Sequence, residues 1–368
     1  FLEKTKRLNR GLEFLPTDEE IAKRRAAKLG LTHPERAVLL AYSKIWLYDQ
    51  LIESQLPDDP WVATALERYF PPLLRERFAA YMPKHPLRRE IIATHVVNSM
   101  VNRVGSTFVH NLTETTGAKA AEVVRAYLLQ REVFGYVALW QAIEALDGKV
   151  ADSVQSEMLI EASRLTVRLT TWFLRSKRLT EDTAATIAYF GAGVQAIAAN
   201  LPALLDDDMK RELDARTAHY TAEGVPKEVA ARVASSEILF SALDIVELSS
   251  AHGKPVETVA RVYFDLAASL GLPWLRGRIG QLAAEGHWPS LAKNAMRDDL
   301  AGLQRALTSE VLTQANSDAT PDALIALWQS ANRLALERTR HMLGELRNNP
   351  APDLAMLSVA LRELRNLA

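Results

Sequence analysis

The chain has 368 residues, 44 basic and 45 acidic side chains and a formal net charge of -1. That balance excludes a general nucleic-acid binder, which shows a basic excess, while a hydrophobic content of 48% supports a real core in one large domain or two to three smaller ones. The absence of cysteine excludes disulfides and thiolate metal sites and suits a reducing cytoplasm. The sequence opens on Phe1 rather than methionine, so it reads as part of a longer chain, and no signal peptide is visible at its start.

Helical spacing and helix punctuation run through the whole sequence, and no stretch alternates with period two. Thr17 with Glu20, and Thr32 with Glu35, form capping boxes before the first two helices. Pro57 to Pro60 is a turn, with Asp58 or Asp59 placed to cap the next helix. Pro71-Pro72 interrupts, and LLRERFAAYM follows. After Gly117 come helices near 118–132, 134–147 and 151–177. Thr180 is read as the cap of an uncharged helix that ends near Leu205. Asp206 to Asp208 open another helix in the acid-first order that the macrodipole favours. Pro226, Pro255, Pro273, Pro289 and Pro321 each start a further segment, and Ala315 to Thr320 reads as a polar loop. The sum is an all-α, irregular multi-helix bundle of about fourteen to sixteen helices with no sheet. The best seam is at 224–226, which divides the chain into lobes 1–224 and 225–368.

The stretch Leu87 to Gly117 reads as one helix roughly 40 Å long. Apolar residues recur at Leu87, Ile91, Val96, Met100, Val104, Phe108 and Leu112, giving one buried face. The opposite face carries His95, Asn98, Ser99, Asn102, Ser106, Thr107, His110 and Asn111, and Arg103 is the one formal charge between Glu90 and Glu114. Short uncharged polar groups predict a face covered by protein, with its hydrogen bonds made inside. Gly105, costly within a helix, is expected to mark close approach of a neighbour.

The motifs that suggest chemistry do not hold together. Gly191-Ala192-Gly193 begins a nucleotide-like fingerprint but lacks the strand that would precede it, so these glycines read as helix-packing positions. Thr183 to Leu205 has no charge and is long enough to span a bilayer, yet its Ala, Gly, Gln195, Asn200 and Pro202 favour a buried helix. The pairs Asp58-Asp59, Asp206-Asp207 and Asp298-Asp299 lack the second aspartate that magnesium diphosphate sites need. His110/Glu114, His219/Glu223 and Glu337/His341 have metal-compatible spacing, but ion pairs or hydrogen bonds are the default. The seven tryptophans read as core. Arg88 and Arg89 could bind an anion, though an internal ion pair is the simpler role.

Several blocks resemble the C-terminal part of the large bacterial NAD-dependent glutamate dehydrogenases: RAVLLAYSKIWLYDQLIESQLPDDPW (36–61), YFPPLLRERF (69–78), HPLRREIIATHVVNSMVNRVGSTFV (85–109), ETTGA (114–118), RAYLLQREVF (125–134), TWFLR (171–175), LGLPWLRGRI (270–279) and RDDLAGLQRALTSEVL (297–312). The resemblance implies a much longer parent that oxidises L-glutamate to 2-oxoglutarate and ammonia with NAD. The parent's catalytic groups and NAD site would lie upstream, so this segment would hold no catalytic, cofactor or metal residue.

On that basis residues 1–368 are expected to be a non-catalytic, cytoplasmic C-terminal domain with a structural, docking or regulatory role. Its partners would be its own upstream catalytic domain and further subunits of a homo-oligomer, not nucleic acid or membrane. Arg88, Arg89, His95, Asn98, Asn102, Arg103, Gly105 and His110 are the structural or interface candidates. Two alternatives stand beside this reading. One is an effector-binding module for an amino acid or nucleotide, with Arg88, Arg89, His95 and Arg103 facing the anion. The other is an independent metal enzyme built on a His/Glu pair.

Overall fold

A computed structural model describes residues 1–283, 286–313 and 319–367. The polar loop expected at Ala315 to Thr320 falls largely outside them. The described residues form nineteen α-helices and no strand, arranged in two compact units. The first holds residues 1–145 and 155–188, and the second 146–154 and 189–368. The turn at 224–226, which the sequence offered as a seam, lies within the second unit, between α11 (Asp207–Ala222) and α12 (Lys227–Leu239).

The first unit opens with α1 (Asp18–Ala26) and α2 (His33–Ile52), and both capping boxes form. Glu35 accepts from the Thr32 backbone N–H at 2.7 Å and from Arg24 at 2.7 Å. The Arg24 guanidinium, then the Thr32 amide, hold the Glu35 carboxyl down at about 2. Next come α3 (Ala65–Tyr69), α4 (Pro72–Phe78) and α5 (Arg88–Val104), with α2 and α3 packed on α5. Ile92, Ala93, Val96, Val97, Met100 and Val101 form the buried stripe of α5. Of the apolar positions expected on this face, Val96 and Met100 are buried, Ile91 and Val104 are half-buried, and Leu87, before the first turn, is exposed.

The long helix expected from Leu87 to Gly117 is two helices. Gly105 ends α5 at φ 85°, ψ 174°, a backbone region open in practice only to glycine, and α6 (Phe108–Thr116) restarts beyond it. A Cβ built on Gly105 would meet nothing within 4 Å. The residue is there for its backbone freedom, and the expected close neighbour is absent. The polar face is not covered either: Asn98, Asn102, Thr107 and Asn111 are exposed, and His95, Ser99, Ser106 and His110 are half-buried. The unit continues through α7 (Ala120–Val133), α8 (Tyr136–Glu144) and most of α9 (Asp152–Arg175).

Most of α10 (Thr183–Leu204) belongs to the second unit. Its cap is Asp182, which accepts from Ala185 N–H at 2.7 Å, rather than Thr180. By length and composition α10 could cross a bilayer. Phe190, Val194, Ile197, Leu201 and Leu204 are buried in protein, but only 28% of its most apolar window is, so the buried helix expected from the sequence is covered along one side only. Gly193 lies against α13 (Ala242–His252), where an added Cβ would come within 2.2 Å of Val246. Gly193 is therefore a packing glycine, as read from the sequence, whereas Gly191 meets nothing.

The organising element of this unit is α16 (His287–Thr313), with α13, α14 (Val256–Ser269), α15 (Leu272–Gln281), α17 (Pro321–Ala331) and α19 (Leu354–Arg365) packed around it. Met296, Leu300, Leu303, Leu307 and Val311 give it a continuous buried seam. The helix expected from Pro321 to about Leu346 breaks at Asn332, and α18 (Arg333–Arg347) resumes after it. Of the tryptophans read as core, Trp140 and Trp328 are buried. Trp46, Trp61, Trp172 and Trp274 are half-buried, and Trp288 is exposed.

Candidate functional site

A cluster of charge in the first unit grows from the turn after α2. A 3-10 turn at Leu56–Asp58 places Asp58 and Asp59 side by side. Asp59 accepts from the backbone N–H groups of Trp61 and Val62 at 2.9 and 3.1 Å, so it does cap the following turn. Its other oxygen accepts from the Thr183 hydroxyl at 2.6 Å and pairs with Arg125 of α7 at 3.1 Å. The same Arg125 nitrogen reaches the Thr183 hydroxyl at 2.7 Å and the Glu181 carbonyl at 3.0 Å.

Asp58 takes both arginines that open α5. Arg88 lies 3.3 Å from it, and Arg89 is in direct contact. Arg89 also donates to the carbonyls of Ile52 and Ser54 at 2.9 and 3.1 Å, so a cation sits where the C-terminus of α2 concentrates negative potential. The two aspartates thus tie α2, α5, α7 and the segment before α10 together. Each of these three arginines is held by a carboxylate, and Arg89 and Arg125 by carbonyls too. The cluster is a structural clasp, and an anionic ligand would have to displace its carboxylates.

The remaining candidates stand apart from it. Half-burial, then the charges of Arg131 and Arg68, push His95 down from its ordinary value, and both arginines are engaged by Glu132 at 2.7 and 3.6 Å. Arg103 contacts Glu144 and lies 5.1 Å over the Trp140 ring. The four groups expected to face an anion therefore do not converge on one. His110 stacks on Phe1 at 4.8 Å, at the edge of a cavity of about 320 Å³. Leu8, Leu15, Leu39 and Trp46 make its apolar wall, and Ser106, Thr107 and Arg10 add polar groups.

The metal and nucleophile motifs resolve as follows. Among the described residues no three His, Asp or Glu side chains gather to hold an ion. Glu337 pairs with Arg333 at 3.2 Å, and His341 faces Glu345 at 3.5 Å. One serine does meet a histidine: Ser309 Oγ and His252 Nε2 are 2.9 Å apart. Burial, then Lys254, push His252 down, but no carboxylate orients its ring among the described residues, and the triad logic is incomplete.

Sequence reasoning missed Arg125, Thr183 and a polar cluster in the second unit. There Gln304, fully buried, donates to the Tyr263 carbonyl at 3.1 Å and accepts from Arg276 at 2.7 Å. Buried Asp244 faces Arg305 at 3.4 Å. Burial, then the nearby Asp244 charge, push the Tyr263 hydroxyl up. These contacts join residues 28 to 61 positions apart, with no local spacing to announce them.

The family described as glutamate dehydrogenase, C-terminal, matches residues 28–366. The chain is 41% identical over 367 residues to an NAD-specific glutamate dehydrogenase of Pseudomonas aeruginosa, covering 100% of this chain and 23% of that protein. It is 36% identical over 367 residues to the one of Halomonas elongata, with the same coverages. It is 34% identical over 360 residues to the one of Mycobacterium tuberculosis, covering 98% and 22%. The chain thus spans about a quarter of the length of the relatives it matches. With a family match that runs from just before α2 to the end of α19, the chain belongs to the glutamate dehydrogenase C-terminal family.

Proposed function

We propose that these residues form a non-catalytic helical region of an NAD-dependent glutamate dehydrogenase. The whole polypeptide would convert L-glutamate to 2-oxoglutarate and ammonia, with NAD held outside residues 1–368. The observation that carries this reading is the pairing of full-length similarity with partial coverage: all of this chain aligns with NAD-specific glutamate dehydrogenases, as 23% of their length. The chemistry of the described residues supports it. Arg88, Arg89 and Arg125 are held in a clasp, and the one serine–histidine contact lacks an orienting acid. The role is to support, dock or regulate the catalytic region within a cytoplasmic homo-oligomer. A cysteine-free chain suits that compartment.

The test is glutamate-dependent NAD reduction by the whole polypeptide and by residues 1–368 alone. Activity in the first and none in the second is expected, and NAD reduction by the isolated segment would overturn the reading. The alternative, an effector-binding module, draws on the cavity beside His110. Its candidates Arg88, Arg89 and Arg103 are already engaged by carboxylates, so its support is the cavity alone. A thermal-shift screen with glutamate, 2-oxoglutarate, aspartate and nucleotides separates the two. A shift that the His110→Ala variant abolishes would favour the module.

A further inference from the structure

A helix of seven residues does not hold itself in water, and α4 gains little from its own unit. None of its side chains is buried, while α3 before it and the turn after it both pack on α5. Between positions 69 and 87 the side chains of Tyr69, Leu73, Leu74, Phe78, Tyr81 and Leu87 are exposed. They are six of the nineteen large apolar side chains exposed among the described residues. Ring contacts run along the segment: Tyr69 with Phe70 at 5.5 Å, Phe70 with His85 at 6.1 Å, and Phe78 with Tyr81 at 6.5 Å. Scattered apolar exposure is ordinary, but six such side chains within nineteen consecutive residues point to an interface.

The charges on this face differ from those at the clasp. No ion pair reaches Arg75, Arg77 or Lys84 among the described residues. Arg77 lies 5.9 Å over the Phe78 ring, and Arg75 Nε is shielded from solvent with no acceptor. The segment offers only Glu67 and Glu76 in return. A partner that covers this face must therefore bring both apolar area and carboxylates.

We propose that the α4 face docks against an apolar, acid-rimmed surface elsewhere in the same glutamate dehydrogenase polypeptide, of its own or a neighbouring subunit. This rests on the reading above that the chain is part of such a polypeptide. Two observations select that occupant. Relatives carry about three quarters of their length outside the matched region, and covalent linkage supplies such a surface at an effective concentration on the order of millimolar. A two-fold contact of the face with itself would instead set Arg75, Arg77 and Lys84 against their own copies, which like-charge repulsion disfavours.

The test uses the whole polypeptide, with the photo-crosslinker benzoylphenylalanine placed at Leu73 or Phe78 and the products mapped by mass spectrometry. Crosslinks to peptides outside residues 1–368 that carry Asp or Glu are expected. Crosslinks confined to residues 1–368 of a second copy, adducts with anionic vesicles only, or none at all would overturn the proposal. A second measurement follows hydrogen exchange of residues 65–87 in the whole polypeptide and in its R75E/R77E variant. Protection that falls about tenfold or more in the variant is expected, and exchange equal in the two would overturn it. Glutamate-dependent NAD reduction is scored on the same unmodified preparation. Its absence would count against the proposed activity while leaving the crosslink map readable.

Discussion

Two regions of the first unit, close in sequence, treat charge in opposite ways. At the clasp, Asp58 and Asp59 are met by Arg88, Arg89 and Arg125, and Arg89 and Arg125 also donate to carbonyls, though Arg125 Nε has no acceptor. Around α4, no carboxylate among the described residues pairs with Arg75, Arg77 or Lys84, and the apolar side chains beside them face water. The first arrangement draws its ion pairs from within this chain. The second is the one proposed to be covered by the rest of the polypeptide. The contrast separates residues that hold the fold from residues that offer a surface, and stability measurements can test each side of it.

The largest expected effect is at Asp59. Its side chain caps a turn, bonds Thr183 and neutralises Arg125. Asp59→Ala leaves a partly buried guanidinium without its carboxylate and two amides without an acceptor, and about 3 kcal/mol of stability should be lost. Arg75→Ala, on the open face, should change stability by no more than about 0.5 kcal/mol. Urea unfolding of both variants checks the comparison. Equal losses would erase the distinction between clasp and surface.

Glycines sharpen the same distinction in a different currency of packing. Gly193→Ala drives a methyl into Val246 and should cost about 2 kcal/mol by overpacking. A G193A/V246A double variant should show coupling between the two sites, because the second change removes the clash. Gly105→Ala meets no neighbour, and its cost of about 1–3 kcal/mol should come from backbone strain alone. No neighbouring truncation should rescue it. Thermal unfolding of the three variants separates collision from conformation.

A smaller effect belongs to His95, half-buried on α5. Its folded value is lowered from 6.5 by burial and by Arg131 and Arg68, while Glu132, which both arginines face, offsets part of their charge. The unfolded chain then binds the proton more readily than the folded one. Stability from this group is fully present above about 6.5 and declines as pH falls through 6.5 toward the lower folded value. His95→Asn should flatten the stability curve over that range. An NMR titration midpoint for His95 above 6.5 would contradict the burial argument.

Much of the fold was legible because its signals are local. Capping boxes at Thr17 and Thr32, prolines at helix starts and the stripe of α5 each lie within a few residues of what they specify. The misreadings arose where one local pattern admits two structures. Apolar spacing continues smoothly across Gly105, so periodicity alone joined α5 to α6, although the glycine adopts a conformation that no helix contains. The clasp was half visible: Arg88, Arg89 and the aspartate turn could be named. Arg125 and Thr183 could not, because their link to Asp59 spans 66 and 124 residues. The α4 face was read as an ordinary helix, since nothing in PPLLRERF says whether a partner lies within this chain.

Asn102 gives the smallest expected effect and bears most directly on how polar faces should be read. Short uncharged polar groups along α5 suggested hydrogen bonds made inside the protein, and on that basis Asn102→Leu would cost about 1–3 kcal/mol. In the folded chain Asn102 is exposed and no side-chain hydrogen bond holds it. Its amide keeps its water in both states, so the substitution should shift stability by no more than about 0.5 kcal/mol. The same measurement on the whole polypeptide adds a second comparison. A loss of about 1 kcal/mol there, against none in residues 1–368, would mean that the face is covered by the rest of the polypeptide, as proposed for α4. Equal and small changes in both would leave the α5 face at Asn102 to solvent, in contrast to the covering proposed for α4.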